Sequence, residues 1–385
     1  MCFNTTANFL SLPPFKNSMK KRGSRPRGGK HSSVKRLLMK LCNAHGISGY
    51  EDGIRQIIRE ELENYVDEIR IDALGNIIAV KDGDSPSIML AAHMDEIGLM
   101  VKSIDSKGFI RFVKFGGWYD STLLNSRVVL HGEKGDVYGV IGSKPPHLMK
   151  EEERKKAIKA EDMFIDIGAK SKEEVEKAGI KVGTTITLDM EMKELLNNRI
   201  TGKALDDRVG IAMMIEALKR TKSSATIYAV GTAQEEVGLK GARTSAFGLS
   251  PDMAIVCEVA IAGDHPGIDE KNSNIKLDKG AVITVADASG RGLIAQPFML
   301  RWLEKVAKKE KIKYQLEVSE GGTTDAAVIH ITKEGIPSAV ISVPTRYMHS
   351  GVEVISIEDL EAGINLIAKA LENIDLLYNE MKRSK

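Results

Sequence analysis

Cysteine is scarce in this chain of 385 residues. Cys2, Cys42 and Cys257 give neither an even set nor a CxxC pair, which argues against a disulfide framework and a thiolate zinc site and leaves the cytoplasm as the expected compartment. Aromatic residues are few, at 5%, so neither a base-stacking surface nor an aromatic sugar cleft is expected. No run approaches the roughly 18 consecutive apolar residues that cross a membrane, so no membrane partner is expected. What remains, 42% hydrophobic and 28% charged, is the composition of an ordinary globular chain. Its length accommodates two domains, or one large domain carrying an insertion.

Acid is missing from the start. Residues 1–40 hold ten Lys or Arg and no Asp or Glu, so the +2 of the whole chain conceals a body of about −8. We read residues 1–31 as a basic, disordered extension, or as sequence upstream of a true start at Met19 or later. The acidic body argues against a general nucleic-acid partner.

From Ser33 to Asn43 the apolar residues Val34, Leu37, Leu38 and Leu41 recur at helical spacing, and a second helix is expected to run to about Tyr65. Two strands near 68–72 and 76–80 read as a hairpin, and Ile88-Met-Leu-Ala-Ala92 reads as a strand buried on both faces. Between 99 and 198 short alternating segments separated by Gly or Asp turns predict a small β-barrel or sandwich. Beyond residue 202 the α/β rhythm returns, with helices expected near 209–220 and 298–309 and a last one from Ser356 to about Leu377. The fold class is therefore α/β: a three-layer domain over 32–98 and 199–385, with a mixed, mostly parallel sheet, interrupted by a barrel-like insertion at 99–198.

Five clusters at strand ends carry the chemistry. His93 and Asp95 follow the buried strand at the edge where α/β proteins gather ligands, and Asp95 falls on the same side as His93, placed to orient its ring. Asp206 and Asp207 open a helix, where capping alone explains one acid but not two. Glu235 and Glu236 end an apolar strand and repel each other unless a cation or proton intervenes; one of such a pair binds a metal while its neighbour takes a proton from water. Glu258 ends another strand, and His349 lies in the loop after a fourth. Singly each has an ordinary structural explanation. Jointly they supply nitrogen and carboxylate donors without thiolate, the set that suits zinc, cobalt or manganese, and enough of them for two ions if Asp206 bridges.

The motifs Gly46-Ile-Ser-Gly-Tyr-Glu51, Ala91-Ala-His-Met-Asp-Glu-Ile-Gly-Leu-Met100, Ala204-Leu-Asp-Asp-Arg208, Gln234-Glu-Glu-Val-Gly-Leu239, Gly321-Gly-Thr-Thr-Asp-Ala326 and Val343-Pro-Thr-Arg-Tyr-Met-His-Ser350, in this order, resemble the tetrahedral (TET), deblocking and glutamyl aminopeptidases. The resemblance implies a di-metal aminopeptidase acting on peptides with a free N-terminus. In it His93 binds one ion, Asp206 bridges, Glu236 binds the second, and Glu258 and His349 complete the two shells. It further implies that Glu235 is the base that activates a bridging water, that the ions are zinc or cobalt, and that the insertion joins dimers into a dodecamer. Glu258 departs from the Asp that many relatives carry, keeping the charge with one more methylene. A di-metal deacylase or carboxypeptidase, and a non-catalytic scaffold binding through its basic tail, are the competing readings.

Overall fold

The computed structural model describes residues 33–383, so the basic segment 1–31 and the Met19 alternative lie outside the described residues. The first helix occupies Ser33–Asn43, as its spacing predicts, and buries Val34, Leu37, Leu38 and Leu41. The second, Asp52–Leu62, stops short of Tyr65: Tyr65 is half exposed and adds nothing to the apolar face of Ile54, Ile57, Ile58 and Leu62.

Eight strands form one sheet, in the order Glu68–Ile71, Ile77–Lys81, Ala225–Thr232, Asp84–His93, Met253–Ile261, Ser338–Thr345, Ala281–Ala286, Tyr314–Val318. Ala225–Thr232, Asp84–His93, Met253–Ile261 and Ser338–Thr345 run parallel, and antiparallel neighbours flank them, so the sheet is mixed and mostly parallel at its centre.

Alternation along these strands explains the three layers. Ile88, Leu90 and Ala92 turn to one face, where the helices Ser33–Asn43, Leu205–Arg220, Pro297–Glu310 and Ile357–Glu372 pack. Met89 and Ala91 turn to the other, under the helix Lys240–Leu249 and the short turn Ala326–Ile329. Near-continuous Val, Ile, Leu and Ala in the central strands is what burial on both faces requires.

The chain between Gly98 and Leu188 closes into a six-stranded barrel with its own core of Leu99, Ile110, Val128, Leu130, Ile165 and Ile186. Its short helix Lys172–Lys177 starts at Ser171, whose side chain accepts the Glu174 N–H. The barrel meets the rest of the chain at the stacked rings of His45 and His131, centroids 3.7 Å apart. The last helical stretch breaks in two at Asn373, whose carbonyl accepts the indole N–H of the buried Trp302 at 3.1 Å; a tertiary contact divides what local spacing reads as one helix. Among the described residues no helix is long and apolar enough to cross a membrane.

Candidate metal centre

His93 is the last residue of its strand and lies in register with Thr232 of the neighbouring parallel strand, so the segment carrying Glu235 and Glu236 leaves the sheet beside it. Glu258 sits on the next strand and His349 four residues past the end of Ser338–Thr345. Asp206 comes from the opposite side, in the first turn of Leu205–Arg220. There Asp206 (φ −77, ψ 106) and Asp207 (φ −121, ψ 39) are not helical and the peptide bond between them is cis. The pair therefore does not act as a simple cap: both carboxylates turn inward and are buried.

Asp206 is the centre of the arrangement. Its Oδ1 lies 3.0 Å from His93 Nε2 and its Oδ2 lies 3.3 Å from His349 Nε2. Glu258 Oε1 is 3.8 Å and Glu235 Oε2 3.9 Å from His93 Nε2, while Glu236 Oε1 is 3.6 Å from His349 Nε2. Two sets of three donors converge with all their atoms within 4.8 Å of one another: His93, Asp206 and Glu236, and His93, Asp207 and Glu258. Two donors on one four-coordinate ion with bonds of about 2.1 Å stand roughly 3.4 Å apart, so these spacings fit a shared ion.

Both histidine rings are fixed by what their other nitrogen does. His93 Nδ1 is 3.0 Å from the Asp95 backbone carbonyl, and His349 Nδ1 is 2.7 Å from the carbonyl of Gly117, in the segment after the barrel strand Ile110–Phe115. A carbonyl only accepts, so each Nδ1 carries a hydrogen; each Nε2 donates to Asp206 while protonated and is left to give its lone pair to an ion when one binds. The Asp95 carboxylate, expected to orient the His93 ring, has its Oδ1 3.5 Å from Nδ1, farther than the Asp95 carbonyl. The same carboxylate also accepts the N–H groups of Glu235 (3.0 Å) and Glu236 (3.2 Å) and the Ser48 hydroxyl (2.5 Å).

The electrostatics call for cations. Burial pushes Glu235 and Glu258 well above the usual carboxylate range and Glu236 to about 7, and their acidic neighbours add to the effect. Burial opposes ionisation of Asp206 too, but hydrogen bonds from His349 and His93 pull it below its ordinary value. Burial disfavours the charged His93 ring, yet Glu235, Asp206, Asp95 and Glu258 raise it well above its ordinary value. His349 is raised to about 10, chiefly by its hydrogen bond to Asp206. Two histidines do not neutralise this many buried carboxylates; further protons or cations are needed.

Sequence reasoning assigns no role to three residues of the site. Asp207 accepts the His93 N–H at 3.2 Å and the Gly210 N–H at 2.9 Å. Glu353 accepts the N–H groups of Asp206 (3.0 Å) and His349 (2.9 Å), tying two candidate ligands to one carboxylate. Asp325 accepts the Thr232 hydroxyl at 2.5 Å and adds to the raised position of Glu235. Asp325 lies in a quoted motif and Asp207 beside a candidate ligand; no local signal marks Glu353.

Residues 75–366 match the family model described as M42 glutamyl aminopeptidase. Lysyl aminopeptidase of Pyrococcus furiosus is 39% identical over 342 residues, 88% of this chain and 96% of that protein. An aminopeptidase from the archaeon Desulfurococcus kamchatkensis superimposes with a TM-score of 0.86 at 43% identity, covering 90% of this chain and 97% of the other. The TET1 peptidase of Pyrococcus horikoshii, described as assembling into a tetrahedron or a large octahedral shell, superimposes with a TM-score of 0.79 at 35% identity, covering 88% and 98%.

Proposed function

The chain belongs to the M42 glutamyl aminopeptidase family, a family of metal-dependent peptidases, and on that premise we propose that it removes N-terminal residues from peptides with two divalent ions held side by side. His93, Asp206 and Glu258 would hold one ion, and Asp206, Glu236 and His349 the other, with zinc or cobalt as the metal. The observation that carries this reading is the pairing of each Asp206 oxygen with a different histidine Nε2, at 3.0 and 3.3 Å.

When bound, such ions acidify a water and polarise the attacked carbonyl. Glu235 is the base: it stands 3.9 Å from His93 Nε2, and its backbone is fixed on Asp95. Burial keeps its proton affinity high, which suits a group that takes a proton from the attacking water and returns it to the leaving amine. Asp95, Asp207 and Glu353 position these residues without touching substrate.

In this reading residues 32–98 and 199–385 form the catalytic domain and the insertion 99–198 joins subunits, in dimers that build a dodecamer. Support comes from the assembly described for the Pyrococcus horikoshii relative and from the separate core of the barrel. A cytoplasmic location accords with two buried free thiols, Cys42 and Cys257.

The test is a metal-stripped sample reloaded with zinc, cobalt or manganese and offered paired peptides with free and acetylated N-termini. Metal-dependent, stepwise release from the free peptide alone is expected. Equal cleavage of the acetylated peptide, or full activity without metal, contradicts the proposal.

A further inference from the structure

The cavity that holds the donor cluster, about 980 Å³, extends beyond it along the ends of the strands Ala281–Ala286 and Tyr314–Val318, where Thr284, Asp287, Glu317 and Glu320 form its wall. Asp287 is 4% exposed. Its Oδ1 accepts the Leu293 N–H at 2.5 Å, whereas its Oδ2 is buried with no hydrogen-bond partner among the described residues. Glu317, half-buried, accepts the Thr284 hydroxyl at 3.1 Å.

Among the described residues no lysine or arginine acts on either carboxylate. The ionisable group acting on Asp287 is the His330 ring, and the one acting on Glu317 is Asp287 itself. Burial raises both carboxyls above their ordinary range. Arg243 is the one Lys or Arg along the described wall, and it is exposed in the first turn of Lys240–Leu249, where water and salt screen it. A buried acceptor without a donor is costly. A ligand that brings a cationic donor gains a charge-assisted hydrogen bond to Glu317, and removes that cost at Asp287 once its side chain turns Oδ2 toward the cavity.

We propose that Asp287 and Glu317 line the pocket for the side chain of the substrate's first residue and select a basic one, lysine or arginine. The inference rests on the aminopeptidase reading and names the substrate class of that same site. A lysyl or arginyl side chain carries its charge on a long apolar stem, which passes Val259 and Val318 in the wall on its way to the two acids.

The test is the metal-loaded enzyme assayed on lysyl, arginyl, glutaminyl, leucyl and glutamyl 7-amido-4-methylcoumarin. The kcat/KM for lysyl and arginyl substrates is expected to exceed the other three by at least about tenfold. Asp287→Asn keeps the oxygen that accepts from Leu293, and Glu317→Gln keeps the one that accepts from Thr284. Each is expected to lower the lysyl-to-leucyl ratio of kcat/KM by at least about tenfold, and Glu317→Lys to shift preference toward the glutamyl substrate. The wild-type comparison stands without any variant. A leucyl or glutamyl preference in the wild type, or an unchanged ratio in both isosteric variants, overturns the inference and leaves the aminopeptidase reading in place. Hydrolysis of none of the five overturns both.

Discussion

The backbone N–H of Glu235 donates to Asp95 Oδ1 at 3.0 Å, so the residue two places past His93 sets the position of the proposed base. Burial works against the charged form of Asp95, but the His93 ring, the Ser48 hydroxyl and the Glu235 N–H hold it below its ordinary carboxylate range. It is an ionised anchor for the segment 234–236. Asp95→Asn removes the charge and turns a donor toward N–H groups that need an acceptor. It is expected to lower kcat about 10–100-fold, the usual effect of changing an outer-shell partner, with metal content retained. Steady-state kinetics alongside elemental analysis of the purified variant check this; unchanged kcat contradicts the positioning role.

Glu258 reaches the shell with a side chain one methylene longer than aspartate, 3.8 Å from His93 Nε2. If it is a ligand, Glu258→Ala leaves an incomplete shell and is expected to lower the affinity for one ion at least about 100-fold. Glu258→Asp keeps the donor and is expected to retain both ions with weaker binding of one. Competition with a chromogenic chelator reads both values. Two tightly held ions in the alanine variant would remove Glu258 from the ligand set.

Gly210 packs against the site from behind. A Cβ there meets Asp207 Oδ2 at 2.3 Å and the Cys257 carbonyl at 2.5 Å, and the second is backbone that has little room to move. Gly210→Ala is therefore expected to destabilise the chain by about 1–3 kcal/mol and to displace the carboxylate that holds the His93 N–H. Denaturant unfolding and metal titration of the same variant check the two effects; wild-type values in both contradict the close packing described.

The stacked His45–His131 pair makes the barrel junction sensitive to acid. Burial first, then the His131 ring, pushes His45 down from 6.5 to about 4, with Lys203 and Arg208 assisting and Glu96 opposing. A histidine depressed in the folded state favours folding fully above its unfolded pKa, and this contribution is lost as pH falls from about 6.5 toward 4. At pH 5 the loss reaches about 2 kcal/mol before allowance for partial exposure. His45→Gln removes the titration, so the melting temperature of wild type should fall relative to that of the variant as pH drops from 7.5 to 5. Parallel melting curves across that range contradict this.

Much of the fold follows from local pattern. Val34, Leu37, Leu38 and Leu41 mark the first helix, and unbroken apolar residues mark the central strand, because both signals arise within one element. Legibility ends where partners come from far along the chain. The pairing of Ala281–Ala286 with Ser338–Thr345, the break at Asn373 under Trp302, and the grip of Glu353 on Asp206 and His349 depend on packing between distant segments. At Asp206 and Asp207 the local signal goes only part way: a cap accounts for one acid, and what turns both inward is backbone that leaves helical geometry. Asp95 shows the same limit, since alternation gives its side of the strand but not which groups it meets.

The most direct test of the central claim, a metal-dependent peptidase whose proton transfers run through Glu235, is Glu235→Gln measured for turnover and metal content on one preparation. Glutamine keeps the size and hydrogen-bonding shape of the side chain and removes only its basicity. We expect kcat to fall by about 10²–10⁴-fold while two ions per chain remain bound. More than a tenth of wild-type turnover in a variant that still holds both ions contradicts the account.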